Sequence, residues 1–365
     1  MNAPRVGYTL EQCWHDVPGG TAVATLRLLR ELHGRNDVDM VAVAGRHRHP
    51  PTANIPEDIG VASLRFARPW LYETWTRFGW PRLDSATGAL DVAHGTAQIP
   101  APSVAPTVVT LHDVAFLDRP DRLTRHGARL LTRAVARAQR CDRVICPSQT
   151  VAERVAAAGI APGRIRVIPW GVDSVDVTDA DRDRVRRRYE LPTDMMLAVA
   201  TLEPRKNLVR LVDAVVRTPD LPPLVVAGAT GWGGVAHDLA AAATDRVRLL
   251  GAVDRADLQV LYDLAAVVAY PSEEEGFGLP VLEAMAAGTP VVTSSGTATE
   301  EVAGGAAVLV DPYDVESIAA GLTTALTNPQ KWSDAGHQRA STMSWQACAD
   351  AHVALYTELS GRGQP

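Results

Sequence analysis

Short apolar runs rich in Val, Ile, Leu and Ala recur along the chain. Each is closed by a polar or Gly/Pro turn, and most are followed by a segment with helical spacing. That alternation is the pattern of β-α-β units and predicts parallel sheets flanked by helices. In the first half strands are predicted near 5–10, 38–44, 61–66, 90–93, 107–111, 143–146 and 165–169. In the second they fall near 195–201, 223–227, 246–250, 266–270, 290–293 and 306–310. Two parallel sheets result.

Between these groups, 171–188 is polar, alternates Asp with Arg and carries no strand signal, so a domain boundary is expected there. A length of 365 residues suits two compact domains better than one core. The expected division is 1–171, 172–344 and a closing helix, 345–365, that packs back toward the first domain. The fold class is α/β, with two Rossmann-like parallel-sheet domains facing an interdomain cleft. Open parallel sheets bind ligands beyond the carboxyl ends of their strands, so residues just after a strand carry most weight.

Composition narrows the field. With 42 acidic and 36 basic side chains the net charge is −6, which does not suit a polyanion binder, so nucleic acid is not an expected partner. Only Lys206 and Lys331 are lysine, leaving 34 arginines, so a lysine is informative. The four cysteines lack paired or metal-like spacing, nothing near Met1 resembles a targeting segment, and no apolar run is long enough to span a bilayer. A cytoplasmic protein is expected, with any membrane contact peripheral on the inner face of the plasma membrane.

The most informative stretch is 271–290, after the predicted strand ending at Tyr270. Gly276 and Gly278 flank Phe277 and let backbone approach a ligand, and Pro280, after Leu279, suits the first turn of a helix. Glu275 lies in the loop and Glu283 about one turn into the helix. Carboxylates so placed can accept hydrogen bonds from vicinal hydroxyls of a sugar and a ribose; without a ligand they read as a solvated acidic loop. A second stretch, Glu203-Pro204-Arg205-Lys206-Asn207, follows the first strand of the second half. Leu208, Leu211, Val212 and Val215 then have helical spacing, which puts two cations at a helix start. Such cations are unfavourable there unless an anion joins them, so the cluster reads as a diphosphate site.

In the first half, Asp16-Val17-Pro18-Gly19-Gly20 precedes a helix expected to begin near Thr21. Gly19 and Gly20 offer bare backbone N–H groups to an anion, or form a simple tight turn. His112 and Asp113 follow one strand and His94 another, as candidate substrate contacts, with Asp113 as a possible orienter of its neighbour. No dinucleotide or Walker-type glycine pattern is present, the Asp-x-Asp pairs at 37–39, 179–181 and 181–183 read as solvated turns, and no zinc pattern occurs. Thr150 to Glu153 reads as a capping box.

Together these motifs resemble the retaining GT-B glycosyltransferases of glycosyltransferase family 4, the group 1 glycosyl transferases. The resemblance is carried by Glu275-Gly-Phe-Gly-Leu-Pro-Val-Leu-Glu283 and Glu203-Pro-Arg-Lys-Asn207. Weaker agreement appears at Gly19-Gly20, His112-Asp113, Cys146-Pro-Ser148 and Ile168-Pro-Trp-Gly-Val-Asp173. It implies that Arg205 and Lys206 hold the donor diphosphate, Glu275 the donor sugar and Glu283 the nucleotide ribose, and that His112 contacts the sugar near the reacting carbon. It also implies retention of anomeric configuration, no cofactor and no metal. The chain departs from the family at Trp170, where asparagine is common, and lacks an additional arginine near 200–202. The His112-Asp113, Phe116, Pro120 pattern is similar to bacterial mannosyltransferases of polysaccharide synthesis, favouring GDP-mannose over a UDP-hexose as donor. The acceptor is expected to be a glycan or a lipid-linked glycan. Alternative readings are a phosphorylase or sugar-nucleotide epimerase on the same fold, or a non-catalytic sugar-nucleotide-binding scaffold.

Two further features concern the acceptor. Trp70, Tyr72, Trp75, Phe78 and Trp80 crowd into 11 residues. Leu71, Trp75 and Phe78 suit one buried helical face; Trp70 and Trp75, with His94, are the candidate acceptor contacts. Arg122, Arg125, Arg129, Arg133, Arg137 and Arg140 form a stripe, read either as a solvated face or as a dock for anionic lipid headgroups.

Overall fold

A computed structural model of the chain describes residues 3–15, 19–242 and 246–361. It falls into two compact units, one formed by residues 1–171 with 345–365 and the other by 172–344. The first holds a seven-stranded sheet in the order β3-β2-β1-β4-β5-β6-β7 and the second a six-stranded sheet in the order β10-β9-β8-β11-β12-β13. Every strand pairing is parallel.

The first unit's strands are β1 (Arg5–Thr9), β2 (Asp39–Gly45), β3 (Val61–Leu64), β4 (Val92–Gly95), β5 (Thr107–Thr110), β6 (Arg143–Cys146) and β7 (Ile165–Val167). The second unit's are β8 (Met196–Val199), β9 (Leu224–Ala227), β10 (Val247–Gly251), β11 (Val267–Tyr270), β12 (Val291–Ser294) and β13 (Val308–Val310). All the predicted strands are present, most of them shorter than their apolar runs. Strands covered on both faces read as continuous apolar runs, and β9, β11 and β12 are buried along their whole length.

In each sheet strand order reverses beside the first strand, at β1/β4 and β8/β11. Such a reversal is the usual ligand position in open α/β sheets. The spacing of Leu208, Leu211, Val212 and Val215 is realised in the helix Leu208–Arg217, where all four are buried.

Three local expectations are corrected. The helix expected near Thr21 runs Gly19–Leu32, and Asp16 to Pro18 lie outside the described residues. The Asp-rich stretch after Thr178 is the helix Asp179–Tyr189, not a turn: Thr178 and Asp181 close a reciprocal capping box that satisfies its first N–H groups. The helix Gln149–Ala157 is capped by Ser148, whose hydroxyl accepts from the Val151 N–H, rather than by Thr150. No helix among the described residues is long and apolar enough to cross a membrane.

The helix Trp345–Leu359 belongs to the first unit and packs on Gly19–Leu32. His94, at the end of β4, meets it: His94 Nδ1 lies 2.7 Å from the Tyr356 hydroxyl and the His352 ring stacks at 5.9 Å. Burial holds His94 well below its ordinary pKa, and burial brings His352 down to about 4 despite its bond to the Cys348 carbonyl. Both are buried neutral, so the unfolded chain binds more protons than the folded one between about pH 6.5 and 4. Stability is therefore expected to fall as pH drops through that window, by about 3 kcal/mol from His352 alone. Denaturant titrations at pH 7 and pH 4.5 check this, and equal midpoints would refute it.

Candidate functional site

At the β8/β11 reversal, two loops are sewn together by backbone and amide bonds. After β8, Pro204 opens a single 3₁₀ turn, Pro204–Lys206, and Asn207 takes a left-handed conformation at φ 59° before the next helix begins at Leu208. The two cations therefore sit just ahead of that helix, in a turn of their own. Asn207 tolerates the conformation as few residues do, and its side-chain amide donates to the carbonyls of Pro271 (2.9 Å) and Pro312 (2.6 Å). The Glu273 N–H donates to the Arg205 carbonyl at 2.8 Å. The turn carrying the cations is thereby fixed to the loop carrying Glu275.

The side chains meet in a buried ionic cluster. Lys206 Nζ donates to Glu275 Oε1 at 2.5 Å and to the Tyr270 hydroxyl at 2.7 Å; Arg205 donates to Glu275 Oε2 at 3.0 Å, and its Nε lies 2.6 Å from Glu203. An ammonium has no lone pair, so Tyr270 must accept from Lys206 and spend its own proton on Glu275 Oε1, 2.9 Å away. Glu275 is 8% exposed and Lys206 9%. Burial pushes the Glu275 carboxyl up, but Arg205 and Lys206, with hydrogen bonds from Lys206 and Tyr270, hold it at about 2. Burial and the adjacent Arg205 pull Lys206 below its ordinary value, against Glu275. Two carboxylates thus balance a buried lysine and a partly exposed arginine.

The following residues position the helix Leu279–Ala286. Gly278 sits at φ 102°, and a Cβ there would lie 2.6 Å from Thr299 Cγ2. Gly276 is half-buried, whereas Phe277 and Leu279 are buried. Glu283 is buried on that helix with both oxygens engaged, one by the Tyr262 hydroxyl at 2.9 Å and the other by Arg255 at 2.8 Å. The structure thus joins Arg205, Lys206 and Glu275 directly and gives Glu283 a separate pair of partners. Tyr270, Glu203 and Asn207 complete the cluster. Lying inside or beside the recognised motifs was the one signal that pointed to them.

In the first unit, His112 is buried beyond β5, and its Nε2 donates to the Thr96 carbonyl at 2.7 Å. That bond fixes the proton on Nε2 and leaves Nδ1 as a buried acceptor with no hydrogen-bond partner among the described residues. Burial holds the ring below its ordinary pKa, against the Thr96 bond and Asp113. Asp113 accepts from the Ala115 N–H at 3.3 Å, so it caps its own turn and the orienter of His112 is Thr96 instead. The Trp170 ring lies 5.4 Å from the imidazole. Gly19 and Gly20 are exposed at their helix start, Gly19 at φ 62°.

The aromatic segment divides. Trp75 is 1% exposed, with its indole N–H donated to the Pro81 carbonyl, so it is core and not a stacking surface. His94 is likewise corrected: its ring nitrogens lie against Tyr356 and Thr110, which closes them to an acceptor. Trp70 is 70% exposed. Phe78, expected on the buried face, is 75% exposed at the last position of the helix Trp70–Phe78. In the arginine stripe, Arg133 is taken by Glu73, and Arg125, Arg129 and Arg140 remain exposed.

Two Rossmann-like parallel-sheet units, one carrying a cation and carboxylate cluster at its sheet's reversal, have the architecture of the GT-B fold. Residues 18–175 match the Glycosyltransferase Family 4 model and 181–340 the Glycosyl transferases group 1 model, and the chain belongs to that family. Among relatives, O-antigen chain mannosyltransferase B of Escherichia coli is 36% identical over 187 residues, 48% of this chain and 49% of that protein. The D-inositol 3-phosphate glycosyltransferase of Mycolicibacterium smegmatis is 30% identical over 267 residues, 69% and 62% of the two chains. The chain thus spans about half the length of the curated relatives it matches. Sucrose-phosphate synthase from Thermosynechococcus elongatus superposes with a TM-score of 0.77 at 21% identity, covering 99% of this chain and all of that one. Anabaena HepE, solved with UDP and glucose, gives 0.74 at 17% identity over 98% of this chain and all of that one.

Removing Glu275 leaves Lys206 buried without its main counter-charge. Glu275→Leu is expected to cost about 3–5 kcal/mol of unfolding free energy, and Lys206→Met added to it to recover most of that. Urea titrations of both variants read the outcome; a double variant no more stable than the single one would contradict it.

Proposed function

We propose that the chain is a retaining glycosyltransferase that moves a hexose, mannose in preference, from a nucleoside-diphosphate sugar to a glycan or lipid-linked acceptor in cell-surface polysaccharide or glycolipid synthesis. The observation that carries this reading is the Arg205-Lys206-Glu275 cluster at the β8/β11 reversal. In the reading, the donor diphosphate takes over as counter-ion to both cations, and Glu275, released from them, accepts hydroxyls of the donor sugar. Glu283 exchanges Tyr262 or Arg255 for the ribose diol. As the sugar–oxygen bond breaks, negative charge grows on the leaving diphosphate, and cations already held in place stabilise it without reorganising. Because those side chains supply the positive charge, transfer proceeds without a divalent metal or other cofactor.

His112 enters through Nδ1. A buried acceptor without a donor is costly, and a sugar hydroxyl satisfies it. The preference for mannose and GDP draws on the His112-Asp113, Phe116, Pro120 pattern and on the likeness to a mannosyltransferase. Gly19 and Gly20 serve the donor as backbone N–H groups. The exposed Arg125, Arg129 and Arg140 suit peripheral contact with anionic lipid, whereas Arg133 is already taken.

The test is twofold. Thermal shifts with GDP, UDP and ADP sugars are expected to single out GDP-mannose. Lys206→Ala is expected to lower turnover by roughly 10²–10³, as for loss of one preorganised donor, with GDP release unaffected by EDTA. A folded Lys206→Ala protein with near-normal turnover would remove the central role from this cluster.

A further inference from the structure

The carboxyl ends of β1, β2 and β3 form a second built corner, in the first unit, that the family motifs leave unassigned. Its frame is Glu11, fully buried one residue beyond Leu10. Glu11 Oε2 accepts the Gly45 N–H at 2.7 Å and lies 3.1 Å from His47 Nε2, and Oε1 accepts the Arg68 N–H at 2.7 Å. One carboxylate thus ties the three strand-end loops together. The Thr52 and Ala53 N–H groups both reach the Cys13 carbonyl, and the Trp14 indole N–H reaches the His49 carbonyl while its ring stacks on His47 at 4.5 Å. Gly45 lets the loops close up: a Cβ there would lie 2.3 Å from the Phe66 carbonyl oxygen.

What this frame presents is positive charge without counter-charge. Arg46, Arg48, Arg65 and Arg68 are exposed, and none makes an ion pair among the described residues, although Arg65 lies over the Phe66 ring at 5.8 Å. Their behaviour differs from that of Arg77 and Arg133, both drawn onto Glu73, and of Arg182, Arg184 and Arg188, drawn onto aspartates. The Glu11 carboxylate is itself spent on backbone N–H groups and His47. In a chain of net charge −6, four exposed guanidiniums without an ion pair among the described residues offer forked donors that match phosphate oxygens. Trp70, two residues beyond Arg68 and open to solvent, adds the flat apolar face on which a sugar ring can stack.

We propose that this corner binds a phosphate group carried on a saccharide, with Arg46, Arg48 and Arg68 on the phosphate and Trp70 beside the sugar. It deepens the glycosyltransferase reading by giving the acceptor a chemical class, and rests on that reading for the acceptor role alone. Binding is measured without turnover. Phosphorus NMR line broadening and calorimetry would follow mannose 6-phosphate, with mannose as the neutral control. Sedimentation with phosphatidylinositol vesicles against phosphatidylcholine vesicles tests the same phosphate at a bilayer surface. Mannose 6-phosphate is expected to bind at least tenfold more tightly than mannose, and Arg46→Gln/Arg68→Gln to weaken it roughly tenfold or more. Binding seen only on phosphatidylinositol vesicles, and lost in the double variant, supports the same site with a lipid-borne phosphate. Equal affinity for mannose and its phosphate with no vesicle binding, or binding unchanged in the double variant, overturns the proposal. GDP binding, assigned to the second unit, is measured on the same samples. A double variant that keeps GDP binding is folded, and a wild-type protein that binds GDP but neither phosphate leaves the transferase reading standing while this one falls.

Discussion

A carboxylate excluded from water must be paid for by cations or donors at fixed distances, and Glu275 is the place where this chain meets that demand. Lys206, Arg205 and Tyr270 all point at its two oxygens, and each is held by something that does not depend on a ligand. Asn207 ties the cationic turn to the carbonyls of Pro271 and Pro312, and so joins the loops that follow the hydrogen-bonded neighbours β8 and β11. The sheet order, the left-handed residue and the buried ion pairs are therefore one requirement seen at three scales. Balancing the cations with Glu203 and Glu275 also lets the protein keep the Lys206 ammonium buried.

Much of the architecture was legible because parallel strands buried on both faces leave unbroken apolar runs such as Leu224–Ala227 and Val267–Tyr270. What the pattern could not show was decided by capping and by three-dimensional neighbours. The run of aspartates and arginines after Thr178 has almost no apolar periodicity, yet a capping box and ion pairs to Asp257 and Asp263 make it a helix. Helical spacing set Trp75, with Leu71, on a buried face and left Trp70 off it, and the structure agrees for both. Their separation into surface and core follows from the direction in which Trp70–Phe78 faces its sheet.

The same distinction holds at the candidate sites. Arg205, Lys206, Glu275 and Glu283 stood out by residue type and position after a strand, whereas Tyr270 read only as the last residue of an apolar run. Its hydroxyl became meaningful once the lysine and the carboxylate were seen on either side of it. Glu11 was silent for a similar reason: its partners are backbone N–H groups from residues 45 and 68, distant in sequence and adjacent only in the folded sheet. His94 misled in the opposite sense, since a histidine at a strand end served the packing of Tyr356 and His352.

The helix Trp345–Leu359 completes a unit whose other elements all precede Val172, and the entire six-stranded unit is threaded between the two contributions. During synthesis the second unit has all its strands before the first has the helix that covers Gly19–Leu32 and His94. The amino-terminal sheet therefore emerges with that surface uncovered until residues 345–359 follow, so the two units mature interleaved rather than strictly one after the other.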